Sequence, residues 1–259
     1  MLLTLDVGNS HIHAGLFKDD ELIMQIRYTT AQTLATSDQL GIFMRQAVRE
    51  NGYDPKDITG IAIASVVPVL NHTLRAAFIK YFKITPFFLQ PGVKMGLKMQ
   101  VATPKEVGAD RIAGCIAAVD LFPGKDIILV DLGTATVFDV VTKDKEYLSG
   151  AILPGVKLSL EALTSNTAQL SSVSIVKPNL AIGKDTTTNL QSGIYFGHLG
   201  AIKELKQVML KEIGKDSSEV VTIATGGFSQ LFNESELFDI ILTDLVLQGI
   251  KIAYEKNHP

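Results

Sequence analysis

The stretch Asp6-Val7-Gly8-Asn9-Ser10 decides the fold, because a second copy, Asp131-Leu132-Gly133-Thr134-Ala135-Thr136, follows later in the chain. An apolar run precedes each copy, Leu2 to Leu5 and Ile127 to Val130, as in a buried strand. Each strand therefore ends in a carboxylate and a glycine, and the glycine lets the backbone approach a ligand closely. Hydroxyl or amide side chains follow, and these can bind phosphate oxygens. Two copies predict two similar sites that face one ligand.

The residues after each copy extend the repeat. Ala14 to Phe17 and Val137 to Val141 are predicted strands, and each is followed by a turn of Lys and Asp and by another apolar segment. The repeated unit is a β-meander whose first turn suits phosphate. A single Asp-x-Gly is typical of an ordinary turn, in which Asp6 only caps the backbone. A second copy in the same context favours phosphate binding instead.

Composition limits the class of protein. The 259 residues are 46% hydrophobic and 20% charged, which is typical of a folded globular protein. A formal net charge of -3 predicts no nucleic-acid partner, because such partners require a basic surface. The single cysteine, Cys115, excludes an internal disulfide, and no apolar run reaches the length of a membrane span. We expect a cytoplasmic protein that starts directly with a strand and does not bind a membrane.

Apolar spacing predicts alternating helices and strands after the first meander. The predicted elements are a helix over 37–52 capped by Ser37, a strand over 58–67, a helix over 70–81, a strand over 85–89, a helix over 155–164, helical segments within 188–213, a strand over 220–224 and a helix over 237–254. No linker of low complexity divides the chain. The repeat alone predicts two lobes, residues 1–118 and 119–259.

Further motifs accompany the two copies. They are Glu106-Val107-Gly108-Ala109-Asp110-Arg111, Gly150-Ala151-Ile152-Leu153-Pro154-Gly155, Ile182-Gly183-Lys184-Asp185-Thr186 with Gln191-Ser192-Gly193, and Thr225-Gly226-Gly227. In this order the chain resembles the type III pantothenate kinases over nearly its full length, within the actin, sugar-kinase and Hsp70 superfamily. The resemblance implies an α/β fold of two similar ribonuclease-H-like lobes, with ATP bound in the cleft between them. It also implies phosphorylation of pantothenate by ATP, the first step of coenzyme A biosynthesis.

The resemblance assigns part of the nucleotide site to the first copy. The residues concerned are Asp6, Gly8, Asn9, Ser10, His11 and His13. Asp6 takes the position that organises magnesium, in part through water. The two histidines lie on one face of a strand beside the phosphate loop. We do not expect them to bind a metal, because no cysteine or carboxylate at ligand spacing completes a set.

The second copy and the late glycines complete the nucleotide site that the resemblance implies. Thr134 contacts the phosphates, and Asp131 takes the position of a monovalent cation, K+ or NH4+, which prefers oxygen ligands. From the residues alone, a second magnesium is an alternative to this ion. Gly226 and Gly227 take the position of the adenosine loop. Outside this context a Gly-Gly pair is typical of a simple turn.

The resemblance assigns the substrate to Gly108, Ala109, Asp110 and Arg111. Asp110 is the expected catalytic residue and general base. An ordinary aspartate suffices for this role, because phosphoryl transfer requires positioning more than a strong base. Arg111 can hold the pantothenate carboxylate through its planar guanidinium. From these two residues alone, a pair that only caps a helix is an equal alternative. Thr186 takes a position that reaches the pantothenate pocket from the neighbouring subunit, so the resemblance implies a homodimer.

Two other functions remain open at this point. A kinase of the same fold can act on another small alcohol or acid, which the nucleotide motifs do not exclude. A non-enzymatic relative, such as the Bvg accessory factors, shares the fold and has a regulatory role. The carboxylates Asp6, Asp110 and Asp131 together with Arg111 favour the enzyme.

Overall fold

The computed structural model describes residues 1–30, 36–166, 170 and 172–259. In chain order the elements are β1 (Leu2–Val7), β2 (His11–Lys18), β3 (Glu21–Thr29), α1 (Ser37–Glu50), β4 (Gly60–Ser65), α2 (Pro68–Phe82), β5 (Phe87–Phe88), β6 (Lys98–Met99), α3 (Ala109–Leu121), β7 (Asp126–Leu132), β8 (Ala135–Val141), β9 (Glu146–Ser149), β10 (Ile152–Pro154), α4 (Val156–Ser165), α5 (Thr186–Glu212), β11 (Val220–Thr225), β12 (Ile240–Ile241) and α6 (Leu245–Asn257). Two compact units form: the first is Met1–Gly96, Ala102–Ala117 and Leu245–Pro259, and the second is Leu97–Val101 and Ala118–Asp244.

The first unit contains a sheet of order β3-β2-β1-β4-β5. The meander β1-β2-β3 is antiparallel, whereas β4 and β5 run parallel to β1. β1 lies between two other strands, which explains its almost continuous apolar run. Its residues Leu3, Leu5 and Val7 are fully buried. The predicted first meander is therefore confirmed.

The second unit repeats this sheet. Its strands follow the order β9-β8-β7-β11-β12, again with an antiparallel meander and two strands parallel to the first. Two short strands are added, β6 beside β9 and β10 beside β8. The two sheets therefore confirm the duplicated α/β fold that the sequence predicts.

One apolar face of helix α1 packs into the core of the first unit, beside α2. Leu40, Met44 and Val48 recur every four residues and are buried, as the spacing predicts. The predicted cap, Ser37, is wrong, because the N-cap is Thr36. The Thr36 hydroxyl accepts the N–H of Gln39, and the Gln39 side chain accepts the N–H of Thr36. Gln39 stands three residues after Thr36, which is the spacing of the two residues of a capping box.

Helix α6 belongs to the first unit, where it packs on β1 and β4. A Cβ on Gly249 would lie 1.7 Å from the carbonyl oxygen of Ala113, so only glycine permits this approach to α3. Lys251, 7% exposed, pairs with Asp20 at 2.8 Å and with Glu255 at 2.7 Å. Burial disfavours the charged amine, but these two partners outweigh burial and raise the pKa of Lys251.

The compact units differ from a simple division of the chain into residues 1–118 and 119–259. The change from one unit to the other within α3, after Ala117, lies next to the predicted boundary. However, Leu245–Pro259 contacts the first unit and Leu97–Val101 contacts the second, through α6 and β6 respectively. The boundary at residues 118 and 119 remains a prediction for the duplicated lobes.

The remaining predicted elements are found with shifted ends. The helix predicted over 237–254 begins only at Leu245, because Ile240 and Ile241 pair with β11 instead. The segments predicted within 188–213 form the single helix α5. Within the described part of the chain, we find no helix both long and apolar enough to cross a bilayer.

Candidate active site

The first of the two turns predicted to bind phosphate, the first phosphate turn, joins β1 to β2. Asp6, near the end of β1, lies opposite His13 in the register of the β1–β2 strand pair. The N–H of Gly8 donates to the carbonyl of His11 at 3.0 Å, and a Cβ on Gly8 would lie 3.2 Å from that oxygen. The turn is therefore tight at Gly8, and it presents Asn9 as an exposed side chain. Asp6 lies at the base of the same turn and is half-buried.

Thr30 anchors the first turn from just beyond β3. Its hydroxyl donates to the carbonyl of Gly8 at 2.7 Å, and its N–H donates to the carbonyl of Ser10 at 2.9 Å. The backbone is thus held on both sides of Asn9, so little ordering remains for ligand binding. Sequence reasoning misses Thr30, because a lone hydroxyl residue after a strand carries no signal of this kind.

The two histidines of β2 differ in their surroundings. His11 is exposed, whereas His13 is 8% exposed and its Nε2 lies 3.1 Å from Oε1 of Gln25. Across the residues that the structure describes, no group of three or more His, Cys, Asp or Glu side chains is arranged to hold a metal. A nucleotide role for His11 and His13 remains a prediction.

Gly108 immediately precedes α3, and the helix begins at Ala109 with Asp110 in its first turn. The N–H of Arg111 donates to Oδ1 of Asp110 at 2.7 Å, which orients the carboxylate at the end of the helix that favours negative charge. A Cβ on Gly108 would lie 3.3 Å from Cγ1 of Val66. Val66 in turn donates its N–H to the carbonyl of Val7 at 3.0 Å. The predicted substrate segment therefore lies at the same sheet edge as the first phosphate turn.

The second phosphate turn joins β7 to β8. The N–H of Gly133 donates to the carbonyl of Ala135 at 3.0 Å, and the exposed Thr134 lies between them. The last strand pair before the turn is Leu132 with Thr136, so this turn is one residue shorter than the first. The repeat in the sequence is therefore also a repeat in structure, with one difference of length.

Gly226 lies against the base of the second turn. A Cβ on Gly226 would lie 2.3 Å from Oδ1 of Asp131 and 2.6 Å from the carbonyl carbon of Leu132, and its φ is +88°. Both the N–H and the hydroxyl of Ser229 donate to the Gly226 carbonyl, at 3.2 and 2.7 Å. By contrast, a Cβ on Gly227 would meet no atom within 4 Å. Gly226 therefore packs against Asp131, whereas the backbone at Gly227 is open.

The Gly150–Gly155 motif supports the second turn from β10. A Cβ on Gly155 would lie 2.3 Å from the carbonyl oxygen of Thr134 and 2.6 Å from that of Gly133. The N–H of Gly155 donates to the Thr134 carbonyl at 3.1 Å. Only glycine allows the chain to lie so close, which gives the motif a physical role beside the phosphate turn.

Thr186 begins α5 and is exposed. The residue before it, Asp185, caps the helix, because its side chain accepts the N–H of Thr188 at 2.8 Å. This bond, together with a second one from the Thr188 hydroxyl, lowers the pKa of Asp185. A Cβ on Gly183 would lie 2.3 Å from Oδ1 of Asn189, so the chain turns tightly before the helix. The cap fixes where Thr186 stands without using its side chain.

Each unit therefore carries the same device: a strand that ends in aspartate, a glycine turn, and a neighbouring parallel strand. Carboxylates can hold cations, and the backbone N–H groups and hydroxyls of such turns can bind phosphate oxygens. The duplicated sheets with these turns define the class of actin-like ATPase folds. Two solved structures agree with this class. A conserved protein of Campylobacter jejuni, assigned to the Baf family of transcriptional activators, superposes with a TM-score of 0.61 at 21% identity, covering 99% of this chain and 98% of that one.

The second structure is a Listeria monocytogenes protein assigned as an N-acetylmannosamine kinase. It superposes with a TM-score of 0.52 at 12% identity and covers 100% of this chain and 99% of its own. At such identities these structures show the fold alone. The predicted fold class is thereby confirmed.

Sequence comparison identifies the family. A model of the type III pantothenate kinase family matches residues 2–207. Type III pantothenate kinase 1 of Francisella tularensis subsp. tularensis is 56% identical over 258 residues, which cover 100% of this chain and 98% of the relative. Type III pantothenate kinase of Legionella pneumophila is 49% identical, with 99% of both chains covered. The chain belongs to the type III pantothenate kinase family, and it is a kinase.

Proposed function

We propose that this protein transfers the γ-phosphate of ATP to the primary hydroxyl of pantothenate, the first step of coenzyme A biosynthesis. The hydroxyl oxygen bonds to the γ-phosphorus while the bond from that phosphorus to the β–γ bridging oxygen breaks. The products are 4'-phosphopantothenate and ADP. One observation carries the proposal. The start of α3, which carries Asp110, lies next to Val66, and Val66 hydrogen-bonds to Val7 at the sheet edge where the first phosphate turn begins.

In this proposal Asp110 is the catalytic residue and accepts the proton of the substrate hydroxyl. The N–H of Arg111 holds Oδ1 of Asp110, so the carboxylate is oriented before substrate arrives. Arg111 binds the pantothenate carboxylate, and Gly108 and Ala109 let the substrate approach the backbone. A loose phosphoryl-transfer transition state requires such positioning more than it requires a strong base.

ATP takes its phosphate contacts from both turns, as the family resemblance implies. We assign Gly8, Asn9, Ser10, His11 and His13 in the first turn and its strand, and Thr134 in the second. Gly226 and Gly227 receive the adenosine, for which the open surface at Gly227 gives support. Each turn is already fixed by its own partners, which lowers the entropy cost of binding.

Two cations fit the oxygen donors of these turns. Asp6 would hold magnesium, partly through water; Mg2+ commonly binds one carboxylate, several waters and substrate phosphates, not a cage of side chains. Asp131 would hold K+ or NH4+ beside Gly133 and Gly226, whose close approach leaves space only for small groups. When bound, the cations neutralise charge on the phosphates.

We also propose that the active form is a homodimer and that the partner subunit's Thr186 completes the pantothenate pocket. Large apolar side chains a few residues before Thr186 in sequence are exposed, including Leu180 at 67% and Ile182 at 78%. A surface of this kind favours a protein partner. We propose that the region 155–170, which contains α4, also lies at this interface; residues 167–169 lie outside the described residues. A cytoplasmic location stays a prediction.

A panel assay tests the reaction. Purified protein is mixed with ATP, magnesium and potassium, and with pantothenate or other small hydroxy acids and alcohols. We expect pantothenate to give the highest kcat/KM and a phosphorylated product of the expected mass. Faster turnover of another alcohol would identify a different kinase. No turnover of any substrate by well-folded protein would favour the regulatory role of the Baf-type relatives.

The cation assignment gives a further prediction. At constant ionic strength, activity with magnesium and sodium should be low and should recover with potassium or ammonium. Asp131→Ala should lose this response, because its carboxylate is the proposed ligand. Asp144→Ala, an exposed aspartate in the turn between β8 and β9, is the matched control and should keep it. Equal wild-type rates in sodium and potassium would contradict the assignment.

A further inference from the structure

His198 is a buried side chain that none of the sequence motifs includes. It lies on α5, is 7% exposed, and both of its ring nitrogens face carbonyl oxygens. Nδ1 lies 3.0 Å from the oxygen of Ile194, one helical turn earlier, and Nε2 lies 3.1 Å from the oxygen of Pro154. The first contact stays within the helix. The second joins α5 to the end of β10.

The peptide group that His198 reaches is the one that supports the second phosphate turn. Its carbonyl belongs to Pro154 and its N–H to Gly155, and this N–H donates to the Thr134 carbonyl at 3.1 Å. The Cα of Gly155 stands so close that a Cβ would lie 2.3 Å from the same oxygen. One planar peptide is thus held by His198 on its carbonyl side and holds Thr134 on its amide side.

We infer that His198 is a positioning residue for the nucleotide phosphates: it fixes the Pro154–Gly155 peptide and, through it, the turn of Gly133 and Thr134. The inference rests on the proposed function, in which Thr134 contacts the ATP phosphates. His198 does not touch the nucleotide. We place the ring proton on Nε2, so that Nε2–H donates to the Pro154 carbonyl. Because a planar peptide cannot tilt its N–H without moving its C=O, loss of this donor frees the support of the turn.

Three substitutions separate positioning from packing. In His198→Gln the side-chain amide nitrogen takes the place of Nε2 and can still donate to Pro154. In His198→Asn the amide nitrogen takes the place of Nδ1 and reaches only toward Ile194. His198→Met fills similar space without any donor. Tyr195→Leu is the packing control, since Tyr195 lies one turn earlier on α5, is buried and stacks on Phe232.

The measurements are the dissociation constant of ATP with magnesium by calorimetry, KM for ATP, KM for pantothenate and the midpoint of thermal unfolding. His198→Asn and His198→Met should weaken ATP binding about tenfold, because a buried carbonyl loses its donor. Their KM for pantothenate should stay near that of wild type. His198→Gln should restore ATP binding to within about twofold of wild type.

The outcome is decided by comparison among the variants. Equal ATP binding in His198→Gln, His198→Asn and His198→Met would overturn the inference. So would an equal loss in Tyr195→Leu at a matched unfolding midpoint, or failure of both His198→Asn and His198→Met to fold, since either result means a packing role. The proposed function is tested separately by wild-type turnover of pantothenate, which must be present whether or not His198 positions the turn.

Discussion

Asp110→Asn should lower kcat by about 100- to 10,000-fold, the usual contribution of a general base. The substitution keeps an oxygen that can accept the N–H of Arg111, so the start of α3 should keep its shape. It removes the group that accepts the substrate proton. Because Asp110 is proposed to act on the hydroxyl and not on ATP, the dissociation constant for ATP should change little.

The measurement is steady-state kinetics with pantothenate together with calorimetric binding of ATP. Asp120→Asn is the matched control: it makes the same change of charge on the same helix, at an exposed position near its end. This control should retain wild-type kcat. If Asp110→Asn folds and turns over within about threefold of wild type, Asp110 is not the base.

The duplicated core could be predicted because its signals are local. β1 and β7 are central strands, so their apolar runs are continuous, and the aspartate and glycine that end them follow directly in sequence. The helix α1 was also predictable, since Leu40, Met44 and Val48 mark one face. In both cases, the burial pattern can be inferred from neighbouring residues alone.

The two errors have different causes, one a distant contact and the other a local signal. The apolar run after Leu237 has the spacing of a helix. Ile240 and Ile241 instead pair with the edge of β11, so this part of the run forms a strand. Thr36 and Ser37 can both cap a helix, and Gln39 decides in favour of Thr36. The position of β11 is absent from the local pattern, whereas Gln39 stands three residues after Thr36 and is a local signal of the capping box.

The sequence predicts which residues belong to the candidate site, but it does not predict how they are arranged in space. That Gly108 meets Val66, and that Val66 pairs with Val7, depends on chain segments far apart in sequence. The same holds for Thr30 at the first turn and His198 behind the second. Single hydroxyl or imidazole side chains have many structural uses, so their type alone gives no signal. Glycine gave one only within a motif, as at Gly155.

Mixing two inactive variants should restore activity if the pocket is shared between subunits. Thr186→Ala should fold normally, because the cap of α5 uses Asp185 and Thr188, yet it should be nearly inactive if the partner's Thr186 binds substrate. A dimer of one Asp110→Asn and one Thr186→Ala subunit has one pocket with both defects and one pocket with neither. After complete exchange at equal amounts, half of the dimers are mixed, so about a quarter of wild-type activity should return.

The reverse mixture gives a sharper control. A subunit carrying both Asp110→Asn and Thr186→Ala, paired with wild type, leaves one defect in each pocket, so the mixed dimer should be inactive. Excess double variant should therefore suppress wild-type activity, whereas independent pockets would lose none of it. Thr187→Ala, the exposed neighbour on α5, should be active alone and shows that the effect belongs to Thr186. Confirmed exchange without recovered activity, or an active protein that sediments as a monomer, would end the shared-pocket proposal.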